Sequence, residues 1–451
     1  MTWTPILSRQ SDLGAQAWDA IQAIAQAVAD KNYEVPAEQH LRSRSYEEAL
    51  LYGYLAAALD DLGWANRATE CLNQAIDEAA QSASYPGLFG GLTGLGWTVE
   101  HVSHLLQHIS VPADDNSELA SDQNEGEEEE EDLNGDIDTA VLKRLPNTNS
   151  SSPYDLISGL VGFGTYFLER LPRGSAIQGI RAVFDQLENL AKSVDDGTAW
   201  HSGPELLPDW QREQAPGGYY NLGVAHGIPG IVHFLSEVWA TGIVKRERSY
   251  KLLDNAVGWL IAQQRPSGSL SRFSSWIVSG EESTDSRMAW CYGDLGILSV
   301  LLQVADRTGR PDWRAFAEEL LSHCLAWPVD RAGIADAPLC HGAAGVAHIF
   351  NRIYQTKGDR RCLDAALLWY QRTMDFRQAG SGVGGFSSLT RPAPSGLPVW
   401  EASPAFLDGA TGVALALLSA VTPIEPGWDR MLLVSGKYQS TNTSTWGIPC
   451  G

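Results

Sequence analysis

Two cysteines and a histidine stand at matching positions in two copies of a short glycine motif. Cys291 lies two residues before the first glycine of GDLG (293–296), and Cys340 and His341 directly precede GAAG (342–345). Two thiolates and one imidazole form a three-ligand set for zinc with the fourth position open, as in catalytic sites. The alternative is two buried free cysteines and a packed histidine, but the shared register argues against coincidence. We therefore expect one zinc ion per chain.

A second histidine shares this register. His226 directly precedes the glycine motif at 227–230, and an imidazole can donate or accept a proton near neutral pH. The alternative is a capping or core histidine. Asp155 lies four residues before the glycine of the preceding copy. It could fix the tautomer of His226 and raise its pKa, or it could be an ordinary carboxylate at a helix N-terminus.

Three further polar residues lie close to these motifs. Arg287, four residues before Cys291, could bind a carboxylate or carbonyl oxygen or pair with a surface acid. Tyr292 could form hydrogen bonds in the site or pack its ring. Asp408 precedes the last glycine motif, and we interpret it as a helix cap.

The remaining histidines and cysteines favour structural roles. His101, His104 and His108 share one helix face without an evident Cys or carboxylate partner, which is typical of an ordinary helix face. His233 and His348 fall inside apolar helices and are predicted to be core residues. Three cysteines on predicted outer helices are assigned to packing: Cys71, Cys324 and Cys362.

The glycine motif is a repeat of the form Gly-x-x-Gly followed by an apolar helical stretch. Its first glycines are 68, 68, 66, 49 and 67 residues apart. The copies start at Gly91, Gly159, Gly227, Gly293, Gly342 and Gly409, with a weaker version at Gly53. Amphipathic helices lie between them, as at 176–194, and strand-like alternation is scarce. Each repeat is therefore predicted to pair an apolar inner helix with an amphipathic outer one.

About seven such pairs closing on themselves predict an all-α fold, an α/α toroid formed by a single domain over residues 1–451. An open superhelix is the alternative. In a closed toroid the residues that precede the glycines converge at one end of the barrel. The glycines suit the tight start of each inner helix, where neighbouring backbones crowd.

Three segments break the repeat. Residues 112–152 are acidic and then rich in Ser and Asn, which predicts a disordered insertion. Residues 196–222 are rich in Gly, Pro and aromatic residues, and we interpret them as an irregular extension that could hold a peptide. Residues 436–451 are predicted to be a flexible polar tail.

Charge and composition exclude several classes of function. The 451 residues carry a formal net charge of −23, and 13 acidic residues lie within 114–138, so nucleic acid is not expected as a partner. We find no signal peptide and no apolar stretch long enough for a transmembrane segment. Six cysteines without a secretion signal favour reduced thiols or metal ligands over disulfides, and a cytoplasmic location.

The segments WCYGDLG (290–296), CHGAAG (340–345) and AHGIPG (225–230) together resemble the lanthionine cyclases, or lanthionine synthetase C-like proteins. The glycine repeats extend the resemblance over nearly the whole chain. It implies an α/α toroid with bound Zn²⁺. The implied zinc ligands are Cys291, Cys340 and His341. The implied catalytic residues are His226, Asp155, Arg287 and Tyr292.

The resemblance also implies an activity. Such enzymes add a Cys thiol of a peptide to dehydroalanine or dehydrobutyrine and so close thioether rings in a lanthipeptide. The expected substrate is a dehydrated precursor peptide, and the expected partners are a dehydratase and an exporter. The protein would then lie in the cytoplasm, peripheral to a membrane-associated synthetase complex.

Three alternatives remain open at this point. Eukaryotic relatives are associated with glutathione, so the same zinc toroid could bind or transfer a small thiol. Protein prenylation also joins an α/α barrel to a zinc-activated thiolate, but two cysteines at one register disfavour its usual Asp-Cys-His ligand set. A structural zinc would require a fourth protein ligand.

Overall fold

Helices dominate the computed structural model, which describes residues 2–31, 33, 45–81, 85–107, 109, 132–390 and 397–438. Seven helices of these ranges form an inner layer: α2 (Ser45–Leu59), α4 (Leu92–Leu106), α6 (Leu160–Glu169), α9 (Ile228–Thr241), α11 (Asp294–Thr308), α13 (Ala343–Lys357) and α15 (Ala410–Val421). Seven longer or more amphipathic ones surround them: α1 (Asp12–Asp30), α3 (Leu62–Gln81), α5 (Gly135–Arg144), α7 (Gly174–Leu190), α10 (Arg246–Ala262), α12 (Pro311–Leu325) and α14 (Arg360–Asp375).

The inner helices form a closed ring. Each packs against the next along the chain, and α15 packs against α2. Each of α2, α6, α9, α11 and α13 also packs on the outer helix that follows it, whereas α15 packs on α1 from the other end of the chain. The predicted α/α toroid of seven helix pairs is therefore confirmed, and closure excludes the open superhelix. No helix in the described ranges is both long and apolar enough to cross a membrane.

The glycine motif has a steric cause. The first glycine of each copy is the N-cap of an inner helix. The second glycine lies against the loop that leads into the helix. A Cβ on Gly345 would lie 1.9 Å from the carbonyl oxygen of Leu339, and one on Gly94 would lie 2.0 Å from that of Leu88. The repeat spacing thus marks where each loop backbone folds onto the start of its inner helix.

Gly345→Ala is expected to destabilise the protein by about 2–4 kcal/mol, because the loop of Cys340 must move to admit the methyl group. Gly174→Ala is the matched control. It lies at the start of α7 with no heavy atom within 4 Å of an added Cβ, so it should be neutral or slightly stabilising. Urea unfolding measures both free energies, and equal stabilities of the two variants would contradict this steric account.

Short strands form three small antiparallel sheets within the described residues. β1 (Lys192–Val194) pairs with β2 (Gly197–Ala199), and β6 (Ser388–Thr390) pairs with β7 (Val399–Glu401). The third sheet has the order β3 (His201–Ser202), β4 (Tyr219–Asn221), β5 (Trp276–Ile277). The segment 196–222 therefore contains strands β2 to β4 and the short helix α8 (Asp209–Gln214), and it is less irregular than its composition indicates.

The predicted disordered insertion at 112–152 is too long at its C-terminal end. Residues 110–131 lie outside the described residues, but Gly135–Arg144 form α5 and Leu145–Asn147 form a 3-10 turn. Val141 and Leu145 of this segment are only 2% and 1% exposed, and both belong to the hydrophobic core. The acidic residues around these two apolar side chains dominate the local composition, which is why the sequence predicts disorder here.

After α15 the described chain continues in a segment that bonds to the inner helices and that the repeat pattern does not predict. We call residues 423–438 the axial segment. The Trp428 amide donates to Tyr54 Oη at 2.9 Å, and the Asp429 carboxylate lies 2.8 Å from His348 Nε2. Further hydrogen bonds join it to the ring through Arg430 and Glu169, Leu432 and Trp290, Leu433 and Gln303, and Lys437 and Glu169.

The start of the predicted flexible tail belongs to this axial segment. Tyr438 N donates to Glu237 Oε2 at 3.3 Å, and Arg307 Nε donates to the Tyr438 carbonyl at 3.1 Å. Glu237 and Arg307 lie near the C-terminal ends of α9 and α11. The tail boundary at residue 436 is thus too early, and residues 439–451 lie outside the described residues.

His348→Gln is expected to make stability less sensitive to acid. Burial lowers the pKa of His348 below its usual 6.5, although Asp429 opposes the shift. The unfolded state therefore takes up a proton that the folded state does not, and stability falls as the pH drops below 6.5. One histidine contributes a slope of up to about 1.4 kcal/mol per pH unit. The variant should lose this slope in urea unfolding between pH 7.5 and 5.

The matched control for this titration is His104→Gln. The His104 side chain is 54% exposed on α4, and its removal leaves the contact of His348 with Asp429 intact. A His348→Gln protein with the wild-type slope would show that His348 is not the group that titrates.

Candidate active site

The loops that lead into the inner helices form a ring of their own. Cys291 N donates to the Cys340 carbonyl at 3.1 Å, and Cys340 N donates to the Leu407 carbonyl at 3.0 Å. The same bond joins Phe89 N to the Ile157 carbonyl at 3.3 Å. Residues two positions before each first glycine are therefore neighbours in space, as the register predicts. This ring lies at the end of the toroid where the inner helices begin.

The predicted zinc ligands come together in this ring. One ligand atom from each of Cys291, Cys340 and His341 lies within 4.8 Å of the others. Zinc–sulfur bonds of about 2.3 Å at tetrahedral angles need sulfurs about 3.7 Å apart, so a small contraction closes the site. The thiols are buried, whereas 32% of the His341 side chain is exposed. The residues fit zinc, and a set of three ligands would leave a fourth coordination position for water or substrate.

The electrostatics of the cluster favour a thiolate. The hydrogen bond with Cys340, assisted by the positive charges of His341 and Arg287, lowers the pKa of Cys291. The same shared proton, together with burial, raises the pKa of Cys340. A site that stabilises negative charge on sulfur is suited to a divalent cation.

His226 and Asp155 form a hydrogen-bonded pair on the same ring of loops. His226 Nδ1 lies 2.6 Å from Asp155 Oδ2, and 44% of the histidine side chain is exposed. Asp155 Oδ1 accepts from the amide and hydroxyl of Ser158 at 2.7 and 2.9 Å. One oxygen of Asp155 therefore contacts His226, and the other is bound within the loop that leads into α6. With Nδ1 bound, His226 Nε2 remains for a substrate.

Asp155 also sets the charge state of this histidine. The surrounding protein disfavours the imidazolium, but the hydrogen bond and charge of Asp155 outweigh that cost and raise the pKa of His226 above 6.5. A larger protonated fraction near neutral pH suits a general acid.

Tyr292 is oriented by a residue that sequence reasoning missed. Asn221 Oδ1 accepts from Gly223 N at 2.9 Å, which assigns its amide group, so Asn221 Nδ2 donates to Tyr292 Oη at 3.2 Å. The tyrosine oxygen is thus an acceptor toward Asn221, and its own proton is available to another group. Burial raises the pKa of Tyr292 and keeps the phenol neutral. No spacing in the sequence signals this contact across 71 residues.

The other candidates lie around the cluster. The Arg287 side chain is exposed, and its charge contributes to lowering the pKa of Cys291. Asp408, interpreted from sequence as a cap, has its carboxylate 3.9 Å from His341 Nδ1. Asp336 is 2% exposed and accepts from Leu389 N, while its Oδ1 atom has no partner in the described structure. The position of Asp408 directly before the first glycine of a motif was the sequence signal that could have placed it near His341.

Aromatic side chains line the ring of loops on its inner side. The rings of Phe89 and Phe406 stack with centroids 6.3 Å apart, and Trp290 lies 6.5 Å from Phe89. Trp428 of the axial segment meets Phe406 edge-on at 5.7 Å. These rings are at most 7% exposed and form an apolar layer beneath the loops of the site, against which the axial segment packs.

Comparison with known proteins agrees with this architecture. The family profile described as Lanthionine synthetase C-like protein matches residues 48–433. Glutathione S-transferase LANCL1 of Danio rerio is 25% identical over 253 residues, which are 52% of this chain and 56% of that protein. Nisin biosynthesis protein NisC of Lactococcus lactis subsp. lactis is 24% identical over 242 residues, 50% of this chain and 56% of that protein. The chain spans about half the length of these curated relatives.

A solved structure shares the fold over nearly the whole chain. A nisin cyclase superposes with a TM-score of 0.68 at 17% identity and covers 92% of this chain and 97% of its own. At this identity the likeness establishes the common toroid. The family profile covers far more than half of the chain, and the chain therefore belongs to the lanthionine synthetase C-like family.

Proposed function

We propose that the protein is a zinc-dependent lanthionine cyclase that adds Cys thiols of a peptide to dehydroalanine or dehydrobutyrine. One observation carries the proposal: a buried two-sulfur, one-imidazole cluster lies on the same ring of loops as a half-exposed His–Asp pair. Thiol addition needs both a site that favours thiolate and a nearby proton donor. The similarity to NisC and to a nisin cyclase supports this class of reaction.

The proposed metal residues are Cys291, Cys340 and His341. A zinc ion held by them would lower the pKa of a peptide thiol at its open position. Both cysteines are less than 10% exposed, whereas 32% of the His341 side chain is exposed. We infer that a peptide thiol approaches the cluster from the side of His341.

His226 is the proposed proton donor. In the overall step a carbon–sulfur bond forms at the β-carbon, the carbon–carbon π bond breaks, and the α-carbon takes up a proton, with no leaving group. His226 Nε2 is the free ring atom and would deliver that proton, while Asp155 holds Nδ1 at 2.6 Å. Asp155 also stabilises the imidazolium before the transfer.

Tyr292 and Arg287 are the proposed stabilisers of negative charge. Charge develops on the carbonyl oxygen of the dehydro-residue as sulfur adds. The Tyr292 hydroxyl, which accepts from Asn221, can donate to that oxygen. Arg287 adds an exposed positive charge close to Cys291. Hydrogen-bond donors fixed before the reaction lower the barrier most effectively.

The same toroid has a second candidate function. The relative named glutathione S-transferase LANCL1 favours binding or transfer of a small thiol at the same cluster. Both functions use the thiolate-favouring site and differ only in the origin of the thiol. In the cyclase the thiol belongs to the same peptide as the dehydro-residue.

A single assay separates the two functions. Wild-type protein is incubated with one peptide that contains dehydroalanine and Cys, and with another that contains dehydroalanine and no Cys plus glutathione. A cyclase removes the free thiol of the first peptide without changing its mass. A glutathione transferase adds the mass of glutathione to the second. Free thiol that persists in the first peptide at the uncatalysed rate would refute the cyclase.

The substrate chemistry also implies partners. Dehydro-residues arise from Ser or Thr, so we infer that a dehydratase supplies the peptide, in the cytoplasm, and that an exporter receives the product at a membrane-associated complex. The β3–β4–β5 sheet contains Asn221, which donates a hydrogen bond to Tyr292. We propose that this sheet supports a bound peptide.

A further inference from the structure

A polar cavity lies beside the candidate active site. It has a volume of about 470 Å³ and is bounded by the C-terminal end of α5, the turn that follows it and the start of α6. Its polar lining includes Lys143, Arg144, Asn147, Thr148, Ser152 and Ser158. This volume is within the usual range for a ligand site. We call it the α5–α6 groove.

The groove is continuous with the catalytic pair. Ser158 lines it, and both the amide and the hydroxyl of Ser158 bind Asp155 Oδ1. The other oxygen of Asp155 holds His226. One wall residue, Ser158, therefore connects the groove to the pair. A chain that lies across His226 would continue into the groove.

The groove carries two adjacent positive charges. Lys143 and Arg144 are exposed, and neither side chain makes an ion pair with any residue in the described ranges. The whole chain carries a net charge of −23, so two adjacent cations without an ion pair to any described residue form a local positive site on an acidic molecule. Such a site attracts carboxylates and repels cationic chains.

Neutral polar groups complete the groove. Asn147 Nδ2 donates to the Lys143 carbonyl, which leaves its Oδ1 atom as an acceptor. Ser158 Oγ donates to Asp155 and retains lone pairs. These acceptors suit the amide N–H groups of an extended peptide, whereas the two cations suit its acidic side chains.

We propose that the α5–α6 groove binds an acidic segment of the peptide substrate and thereby holds the reacting residues over His226. The inference rests on the proposed cyclase function for the identity of the ligand as a peptide. The groove itself selects for negative charge whatever reaction follows.

A binding experiment tests the groove without requiring catalysis. The probe is a fluorescent 12-residue peptide with four Asp or Glu residues and neither Cys nor dehydro-residues; its matched partner carries Asn and Gln instead. Anisotropy is measured with full-length wild type, with Lys143→Glu/Arg144→Glu and with Lys251→Glu/Arg372→Glu. The last pair changes the charge equally at exposed positions of α10 and α14, and Arg372, like Arg144, lies in a last helical turn.

Wild type should bind the acidic peptide at least fivefold more tightly than the amide peptide at low salt. The groove variant should weaken acidic-peptide binding about tenfold, and 0.5 M salt should remove most of the difference, because exposed ion pairs are screened. The control variant should bind as wild type does. Circular dichroism verifies that all three are folded.

Two results would overturn the proposal: wild type without preference for the acidic peptide, or equal weakening by the groove and control variants. Either outcome can occur whether or not wild type closes rings on a dehydrated peptide. Failure of ring closure alone removes the cyclase and leaves the anionic groove supported.

Discussion

Cys340→Ala is expected to remove the bound metal and to slow ring closure about a thousandfold. The substitution deletes one of three ligands, and two ligands in an open site hold zinc weakly. Without the metal the substrate thiol keeps its ordinary pKa and several kcal/mol of activation are lost. Metal analysis should give one zinc per wild-type chain and less than about 0.1 per variant chain, and thiol labelling follows ring closure.

Cys324→Ala is the matched control for this prediction. Cys324 is a free cysteine, 2% exposed on α12, and lies outside the cluster. Its loss should cost about 1 kcal/mol of stability and leave zinc and activity unchanged. If Cys340→Ala loses zinc and still closes rings at the wild-type rate, the metal is structural. If folded wild type binds no zinc, the three-ligand site is wrong.

The site was predictable because one steric contact recurs in every repeat. Each second glycine admits a loop carbonyl, and Leu339 and Gly345 show how close the contact is. Aligning the glycines therefore aligns the loops, and residues as distant as His226 and Cys340 fall on one ring. The identity of those residues then indicates the chemistry.

The remaining parts of the site depend on contacts that no local pattern encodes. Asn221 reaches Tyr292 because β4 packs over the ring of loops, and neither residue predicts the other. The axial segment has no repeat, and its place follows from the polar side chains that the inner helices direct inward. His348 is an example: its Nε2 atom lies 2.8 Å from the Asp429 carboxylate of that segment, while its Nδ1 atom lies 3.2 Å from Ser419 Oγ of α15.

Environment distinguishes His226 from the other inner-ring histidines. Burial lowers the pKa values of His101, His233 and His348, which therefore remain neutral as structural hydrogen-bond partners. His226, at the start of α9, is 44% exposed, and the hydrogen bond and charge of Asp155 raise its pKa instead. The direction of the pKa shift therefore distinguishes His226, the proposed acid, from the three structural histidines.

His226→Asn is expected to lower the rate of ring closure by 10²–10⁴-fold, about the contribution of general acid catalysis, while the zinc content stays at one per chain. Asp155→Asn should lower the rate less.

The pH profile tests the role of the pair separately. In wild type the protonated form of His226 is lost as the pH rises through its raised pKa, so the rate of ring closure should fall on that alkaline limb. Because Asp155→Asn removes the cause of the shift, its limb should move to lower pH. His104→Gln, on the exposed face of α4, is the control and should match wild type. Rates of thiol loss between pH 5.5 and 8.5 give all four profiles. A His226→Asn protein that closes rings at the wild-type rate would assign the proton to solvent and leave the His226–Asp155 pair a structural contact.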